Sequence, residues 1–142
     1  MKALGASTDD LNDLYHKHVR SILEYAAPVW HSALTGEDRV KLERVQKSAL
    51  HIMLGESYKS YTSALRITGN ITLFERRRKL CITFARKSLK SPKFSTWFKP
   101  NDKHTITRQD QPKLCEVYSR LERFEKSPIS YLTKLLNSDT NK

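Results

Sequence analysis

Apolar side chains recur along this chain at steps of three and four residues, which is the spacing of a helix that buries one face. The first such stripe comprises Leu11, Leu14, Tyr15, His18, Val19, Ile22, Leu23 and Ala26. The second comprises Leu42, Val45, Ala49, Ile52 and Met53. Two amphipathic helices joined by a short bend can pack antiparallel. The pattern therefore predicts a helical hairpin in the N-terminal part of the chain.

Short polar residues mark where the helices begin. A Ser or Thr hydroxyl accepts a hydrogen bond from the first helical turn, and an acidic residue three positions later suits the helix dipole. Pairs with this spacing are Ser7 with Asp10, Thr35 with Asp38, and Thr72 with Glu75. Pro28 is expected to end the first helix and Gly55 the second. A short helix is predicted over residues 61–68, and a longer one runs from the third pair to about Lys90.

The C-terminal part is expected to be less regular. Residues 91–111 contain two prolines and no apolar period, which predicts an irregular connector. A helix is predicted after Pro112, with the inward side chains Leu114, Val117, Tyr118, Leu121 and Phe124. Ser127 and Pro128 are typical of an N-cap and a first helical residue, and they predict a last helix. Its inward side chains are Ile129, Leu132, Leu135 and Leu136.

These elements predict an all-α fold. Four glycines are few for an all-β chain with its many tight turns, and 142 residues suffice for one core with appendages. We expect a small helical bundle, made of the hairpin and a basic helix, followed by the irregular connector and the C-terminal helices. The expected division is a helical domain over 1–90, a connector over 91–111 and a helical tail over 112–142.

Positive charge is concentrated in the middle third of the chain. The chain carries a net charge of +11. Residues 1–55 contain seven basic and seven acidic side chains, whereas residues 56–99 contain eleven basic and two acidic ones. Such a segment favours an anionic partner, with nucleic acid ahead of an acidic membrane and of an ordinary solvated surface.

The predicted basic helix places its charges in a line. At 100° per residue, Lys79, Thr83, Arg86 and Lys90 share one outer stripe. The predicted inner side chains are Leu73, Phe74, Leu80, Cys81, Phe84 and Ala85. Lys and Arg neutralise phosphates, and a Thr hydroxyl adds a neutral hydrogen bond. The predicted nucleic-acid-binding residues are Arg76, Arg77, Arg78, Lys79, Thr83, Arg86, Lys87 and Lys90.

No complete set of catalytic or metal-binding residues is visible in the sequence. The acidic clusters at residues 9–13 and 37–38 are accounted for by helix capping, and His16 and His18 point to opposite sides of one helix. The two cysteines, Cys81 and Cys115, have the isolated spacing of reduced packing residues. We expect no cofactor, no metal, no small-molecule substrate and no enzymatic activity.

Nothing in the sequence predicts a membrane span or a secretory leader. There is no run of 18 apolar residues, and the N-terminus lacks the apolar stretch of a signal peptide. The expected location is therefore intracellular, in the nucleus or the cytoplasm.

Three stretches of the chain form a recognisable set. They are residues 22–31 (Ile-Leu-Glu-Tyr-Ala-Ala-Pro-Val-Trp-His) followed by Leu34 and Thr35, residues 42–50 (Leu-Glu-Arg-Val-Gln-Lys-Ser-Ala-Leu), and residues 75–77 (Glu-Arg-Arg) with 79–81 (Lys-Leu-Cys) and 84–85 (Phe-Ala). Together they resemble the region C-terminal to the polymerase core in reverse transcriptases of non-LTR (LINE-like) retrotransposons. Residues 122–132 (Glu-Arg-Phe-Glu-Lys-Ser-Pro-Ile-Ser-Tyr-Leu) resemble the end of such reading frames. The resemblance covers nearly the whole chain.

The resemblance implies a helical thumb and tail that hold template RNA or an RNA/cDNA hybrid. The aromatic-x-Asp-Asp motif of the polymerase palm is absent, because Asp9 and Asp10 follow Ser7 and Thr8 at a helix start. The expected function is that of a non-catalytic C-terminal fragment of an RNA-directed DNA polymerase, binding nucleic-acid backbone through the basic helix. The alternative is a protein-interaction helical module that docks on the palm domain of a polymerase or on another partner.

Overall fold

The computed structural model describes residues 5–101, 114–116 and 118–139 of this chain, and in these ranges its regular structure is helical. One isolated antiparallel bridge, between Pro100 and Leu114, is the only β pairing within them. The α-helices are α1 (Thr8–Leu14), α2 (Ser21–Glu24), α3 (Ala27–Trp30), α4 (Gly36–Leu54), α5 (Tyr61–Thr68), α6 (Leu73–Lys90), α7 (Glu122–Glu125) and α8 (Pro128–Asp139). The predicted all-α class is confirmed.

Two compact units divide the chain. The first contains residues up to Ala27 together with Leu34–Arg77, and the second contains Pro28–Ala33 together with the residues from Arg78 onward. The boundary thus falls inside α6, whereas the sequence placed a domain end near residue 90. The difference arises because Cys81 and Ala85, in the later part of α6, belong to the core of the second unit.

The first unit is built on helices α1, α4 and α5. Its core comprises Leu11, Tyr15, Leu50, Met53, Leu54 and Ala64. Leu11 and Tyr15 therefore pack against the C-terminal end of α4, as the predicted antiparallel hairpin requires. The buried face of α4 is displaced from the predicted one, since Gln46 and Leu50 are buried while Val45 and Ile52 are exposed.

The first predicted helix is interrupted by a π-helical turn, Tyr15–Arg20, between α1 and α2. A π-turn closes i→i+5 hydrogen bonds, so side chains beyond it no longer follow a period of 3.6 residues. His18 within the turn and Ile22 after it are exposed as a result, and Leu14, which precedes the turn, is exposed as well. The prediction that these three belong to a buried stripe was wrong. The helix also ends at Glu24, ahead of Ala26, which has a positive φ of 50°.

The predicted caps are confirmed. Ser7 Oγ accepts a hydrogen bond from Asp10 N at 3.1 Å, Thr35 Oγ1 from Asp38 N at 3.2 Å, and Thr72 Oγ1 from Glu75 N at 3.2 Å. At the other ends of helices, Gly55 closes α4 with φ 54° and Gly69 closes α5 with φ 65°. Glycine fits both positions because a Cβ disfavours positive φ.

The second unit joins the later part of α6 to α8. Its core comprises Cys81, Ala85, Phe98, Leu132, Leu135 and Leu136. Phe98 belongs to the predicted connector, whose described part, 91–101, is irregular except for a short 3₁₀ turn at Ser95–Trp97 and the bridge residue Pro100. Ser32 Oγ donates to the carbonyl oxygen of Lys126 at 2.7 Å, which holds residues 28–33 to this unit.

The helix predicted after Pro112 is not present in the residues that the structure describes there. Leu114 is extended: its N–H donates to Asn137 Oδ1 at 2.9 Å, and its carbonyl oxygen accepts from Asn137 Nδ2 at 3.1 Å. Tyr118 and Leu121, predicted inward, are exposed, and Val117 lies outside the described residues. Helical structure begins only at Glu122, and the last helix then follows as predicted. Its residues Leu132, Leu135 and Leu136 are buried, whereas Ile129, predicted inward, is 39% exposed.

Candidate nucleic-acid interface

Helix α6 has one buried face and one exposed face. The buried line comprises Leu73, Arg77, Cys81, Ala85 and Ser88, which recur at steps of three and four residues. Phe74, which the sequence placed on this line, is 39% exposed and lies under the Arg39 guanidinium at 5.5 Å. The position of the buried line fixes which cations of α6 can meet a ligand from solvent.

The predicted stripe lies on the exposed face. Lys79, Thr83 and Arg86 are exposed, as is Lys90 at the end of the helix. At 100° per residue these four positions fall within about 60° of one another and nearly opposite Cys81. From the first to the last of them α6 rises by about 16 Å at 1.5 Å per residue. Each duplex strand carries one phosphate per roughly 3.4 Å, so the stripe is long enough to track several phosphates.

Two further cations border this stripe. Arg78 and Lys87 are exposed on its two sides, and neither makes an ion pair within the part of the chain that the structure describes. Thr83 uses its hydroxyl hydrogen locally, since Oγ1 donates to the carbonyl oxygen of Lys79 at 2.9 Å. Its oxygen can still accept a hydrogen bond, but donating to a phosphate requires Thr83 to give up that local bond.

Arg86 is held by an acidic residue of the second unit. Its Nη2 lies 2.5 Å from Asp139 Oδ2 at the end of α8, and the Arg86 side chain keeps 63% of its surface exposed. A carboxylate at this position occupies the guanidinium as a phosphate would. A polyanion that uses Arg86 must therefore share it with Asp139 or displace that carboxylate.

Arg76 is engaged inside the first unit. Its Nε lies 3.1 Å from Glu24 Oε1, and Arg20 Nε lies 3.4 Å from the same oxygen. The Glu24 side chain is only 12% exposed. The arrangement ties α6 to α2, and it makes Arg76 a structural ion-pair partner more than a surface cation.

Arg77 is fully buried, with no exposed surface. The expectation that it faces outward with its neighbours was wrong, because the helical period puts it in line with Leu73 and Cys81. It therefore cannot reach a phosphate at the surface. Of the eight predicted residues, the exposed subset is Arg78, Lys79, Thr83, Arg86, Lys87 and Lys90.

The sequence missed the acidic partners of the basic residues. Glu24 is four residues from Arg20, and that i,i+4 spacing is a signal that could have identified the pair. Asp139 is 53 residues from Arg86, and no local pattern joins them. The pairing of α6 with α8 had to be known first.

The described residues also bear on metal binding and on membrane insertion. Within 5–101, 114–116 and 118–139, no three His, Cys, Asp or Glu side chains are grouped so that they could hold a metal ion. His16 Nε2 instead lies 2.7 Å from Asn70 Oδ1. No described helix combines the length and the apolar character that crossing a membrane requires.

No protein-family model matches this chain, and no solved structure matches it significantly.

Proposed function

We propose that this protein binds the phosphate backbone of RNA or of an RNA/DNA hybrid through the exposed face of α6, and that it performs no catalysis of its own. The observation that carries the proposal is the line of Lys79, Arg86 and Lys90 along one solvent-facing side of α6. Arg78 and Lys87 widen this line on either side. Release of counterions from phosphates supplies affinity for such a surface without reading sequence.

The resemblance to the C-terminal region of non-LTR retrotransposon reverse transcriptases supports the same proposal. In that family the thumb and tail follow the polymerase palm, and they hold template and product by their backbones. The helical character of 5–90 and of 122–139 is compatible with a thumb followed by a tail. We therefore propose that the chain corresponds to a non-catalytic C-terminal fragment of such an RNA-directed DNA polymerase.

The test is a salt-titrated binding measurement with RNA/DNA hybrid, double-stranded RNA and double-stranded DNA of equal length. Contact with about four phosphates predicts that log affinity falls with log salt at a slope of roughly −3 to −4. A triple charge reversal, Lys79→Glu with Arg86→Glu and Lys90→Glu, is expected to lower affinity at least tenfold and to flatten the slope by about 3.

A matched control reverses three exposed cations outside α6, namely Arg44, Lys47 and Lys59. Its net-charge change equals that of the stripe variant, so it measures the effect of overall charge alone. We expect the control to retain most of the affinity and of the slope. Equal losses in both variants, or a salt-independent affinity in the wild-type protein, would contradict binding through the stripe.

The alternative, a helical module that docks on a protein partner, is favoured by exposed apolar side chains. Ile22 is 74% exposed and Tyr25 is 80% exposed, both in the first unit. Large apolar side chains that lie together on a surface are typical of protein interfaces. The salt titration separates the two functions, because an apolar interface predicts weak nucleic-acid binding whose small remainder is equally sensitive to both charge-reversal variants.

A further inference from the structure

The second unit contains an apolar cavity of about 500 Å³ that the proposed function does not use. Three aromatic rings line it, from Phe84 on α6, Trp97 on the 3₁₀ turn and Phe124 on α7. Ile129 and Leu132 on α8 add aliphatic surface. Its volume and its lining are those of sites that bind drug-sized molecules, which are typically concave, mostly apolar and aromatic.

Few polar groups of the lining are available to a ligand. Thr133 Oγ1 donates to the carbonyl oxygen of Ile129 at 2.9 Å, and Ser127 Oγ accepts from Ser130 N at 3.5 Å. The remaining side-chain groups with polar chemistry are the Ser130 hydroxyl, the Lys99 ammonium and the Cys115 thiol. Lys99 is the one charged side chain among the described lining residues, and it favours an anionic group on a ligand.

We propose that this cavity binds an amphipathic organic anion, with an apolar aromatic or aliphatic body among the rings and a carboxylate or sulfonate at Lys99. The first turn of α8 also lines the cavity, and the positive end of its dipole favours the same sign of charge. The bound anion is a ligand that is released unchanged.

The cavity and the basic stripe lie on different sides of α6. Phe84 is roughly 100° or more around the helix from Lys79, Thr83 and Arg86. Occupation of the cavity therefore leaves the stripe accessible to a polyanion. The two proposals can be tested separately, and the failure of one leaves the other standing.

The experiment uses a matched pair of fluorescent probes on the full chain. 1-Anilinonaphthalene-8-sulfonate carries an arylamine body with one sulfonate, and N-phenyl-1-naphthylamine carries the same body without charge. We expect saturable one-to-one binding of the anionic probe, and a lower affinity for the neutral probe. Lys99→Gln is expected to weaken the anionic probe roughly fivefold and to leave the neutral probe unchanged.

Cys115 reports whether the probe occupies this cavity. Cys115 is exposed whereas Cys81 is buried, so iodoacetamide should alkylate Cys115 selectively in the folded protein. The bound anionic probe is expected to slow that alkylation. Lys93→Gln is the control for Lys99→Gln, because Lys93 is an exposed lysine of the same segment that does not line the cavity.

Three outcomes would overturn the proposal. Binding of several probe molecules without protection of Cys115 would place the probe on loosely packed apolar surface elsewhere. Equal affinity for the charged and the neutral probe would mean that the cavity selects an uncharged group, such as an apolar side chain of a partner. Equal effects of Lys93→Gln and Lys99→Gln would remove Lys99 from the site.

Discussion

Arg77 and Arg78 are adjacent in sequence and have opposite surroundings, one fully buried and the other exposed. Composition alone put both on the surface, because a guanidinium is expensive to bury. The helical period places Arg77 in line with the buried residues Leu73 and Cys81, and its position on the helix decides its burial more than its charge does. The exposed stripe was predictable for the same reason, since its position follows from the period and the apolar face opposite it.

The two arginines provide a matched pair of substitutions. Arg77→Ala removes a fully buried side chain and is expected to lower the free energy of unfolding by about 2–4 kcal/mol. Arg78→Ala changes an exposed side chain and is expected to alter it by less than about 0.5 kcal/mol. Chemical denaturation of both variants measures these differences.

Nucleic-acid binding is expected to depend on Arg78 and not on Arg77, whereas stability depends mainly on Arg77. Arg78→Ala is expected to reduce the salt slope of nucleic-acid binding by about 1, because one phosphate contact is lost. The folded fraction of Arg77→Ala should keep the wild-type slope. A salt slope that changes in Arg77→Ala and not in Arg78→Ala would contradict the assignment of Arg78, and not Arg77, as a phosphate contact.

For the helices, the sequence predicts those caps and bounds that contacts between nearby residues determine. The three capping pairs and the bounds of α5 and α6 follow from residues within one turn of each other, and all are confirmed. The helix expected after Pro112 depends on tertiary contacts instead. The side chain of Asn137, 23 residues away, hydrogen-bonds both the N–H and the carbonyl oxygen of Leu114. These bonds compete with the hydrogen bonds of a helix. The π-turn likewise has no local signal in the residues around it.

The caps of α1 and α4 make a prediction about pH. The side-chain hydrogen bond from Ser7 lowers the pKa of Asp10 below its usual 3.8, and the hydrogen bond from Thr35 lowers the pKa of Asp38 in the same direction. A carboxyl whose folded-state pKa is depressed stabilises the protein above its unfolded pKa. That stabilisation is lost as pH falls below 3.8 and through the folded-state values.

We therefore expect the variant Asp10→Asn with Asp38→Asn to show a shallower loss of stability below pH 4 than the wild-type protein. Urea midpoints measured at several acidic pH values test this. Asp9→Asn with Glu37→Gln is the control, because these acids occupy the same first turns and make no side-chain hydrogen bond in the described part of the chain. If the control variant showed the same shallower loss of stability below pH 4, the change would come from net charge and not from the capping hydrogen bonds.

In the whole molecule, ion pairs between residues far apart in sequence occupy part of the positive charge and leave the net charge unchanged. Arg76 meets Glu24 across 52 residues, and Arg86 meets Asp139 across 53. A charge count along the chain describes the sum correctly and leaves these pairings out. The available positive surface is consequently smaller than the segment of residues 56–99 suggests, and its size depends on whether a ligand can displace the internal carboxylates.

Asp139 tests this competition within the second unit. Asp139→Asn removes the carboxylate that lies 2.5 Å from the Arg86 guanidinium. Affinity for the hybrid is expected to rise roughly two- to threefold at low salt, with a salt slope steeper by up to about 1, because one more cation is available to phosphate. The same change is expected to cost about 0.2–1 kcal/mol of stability, because the Arg86 side of the ion pair is 63% exposed and solvent weakens the attraction.

Glu125→Gln is the control for Asp139→Asn, because it changes the net charge equally. It breaks the ion pair of Glu125 with Lys134, in which both side chains are about half exposed and neither lies on α6. If overall charge governed affinity, the two variants would bind alike. If Arg86 is limited by its internal partner, only Asp139→Asn strengthens binding, and Arg86→Ala in the same chain abolishes the gain.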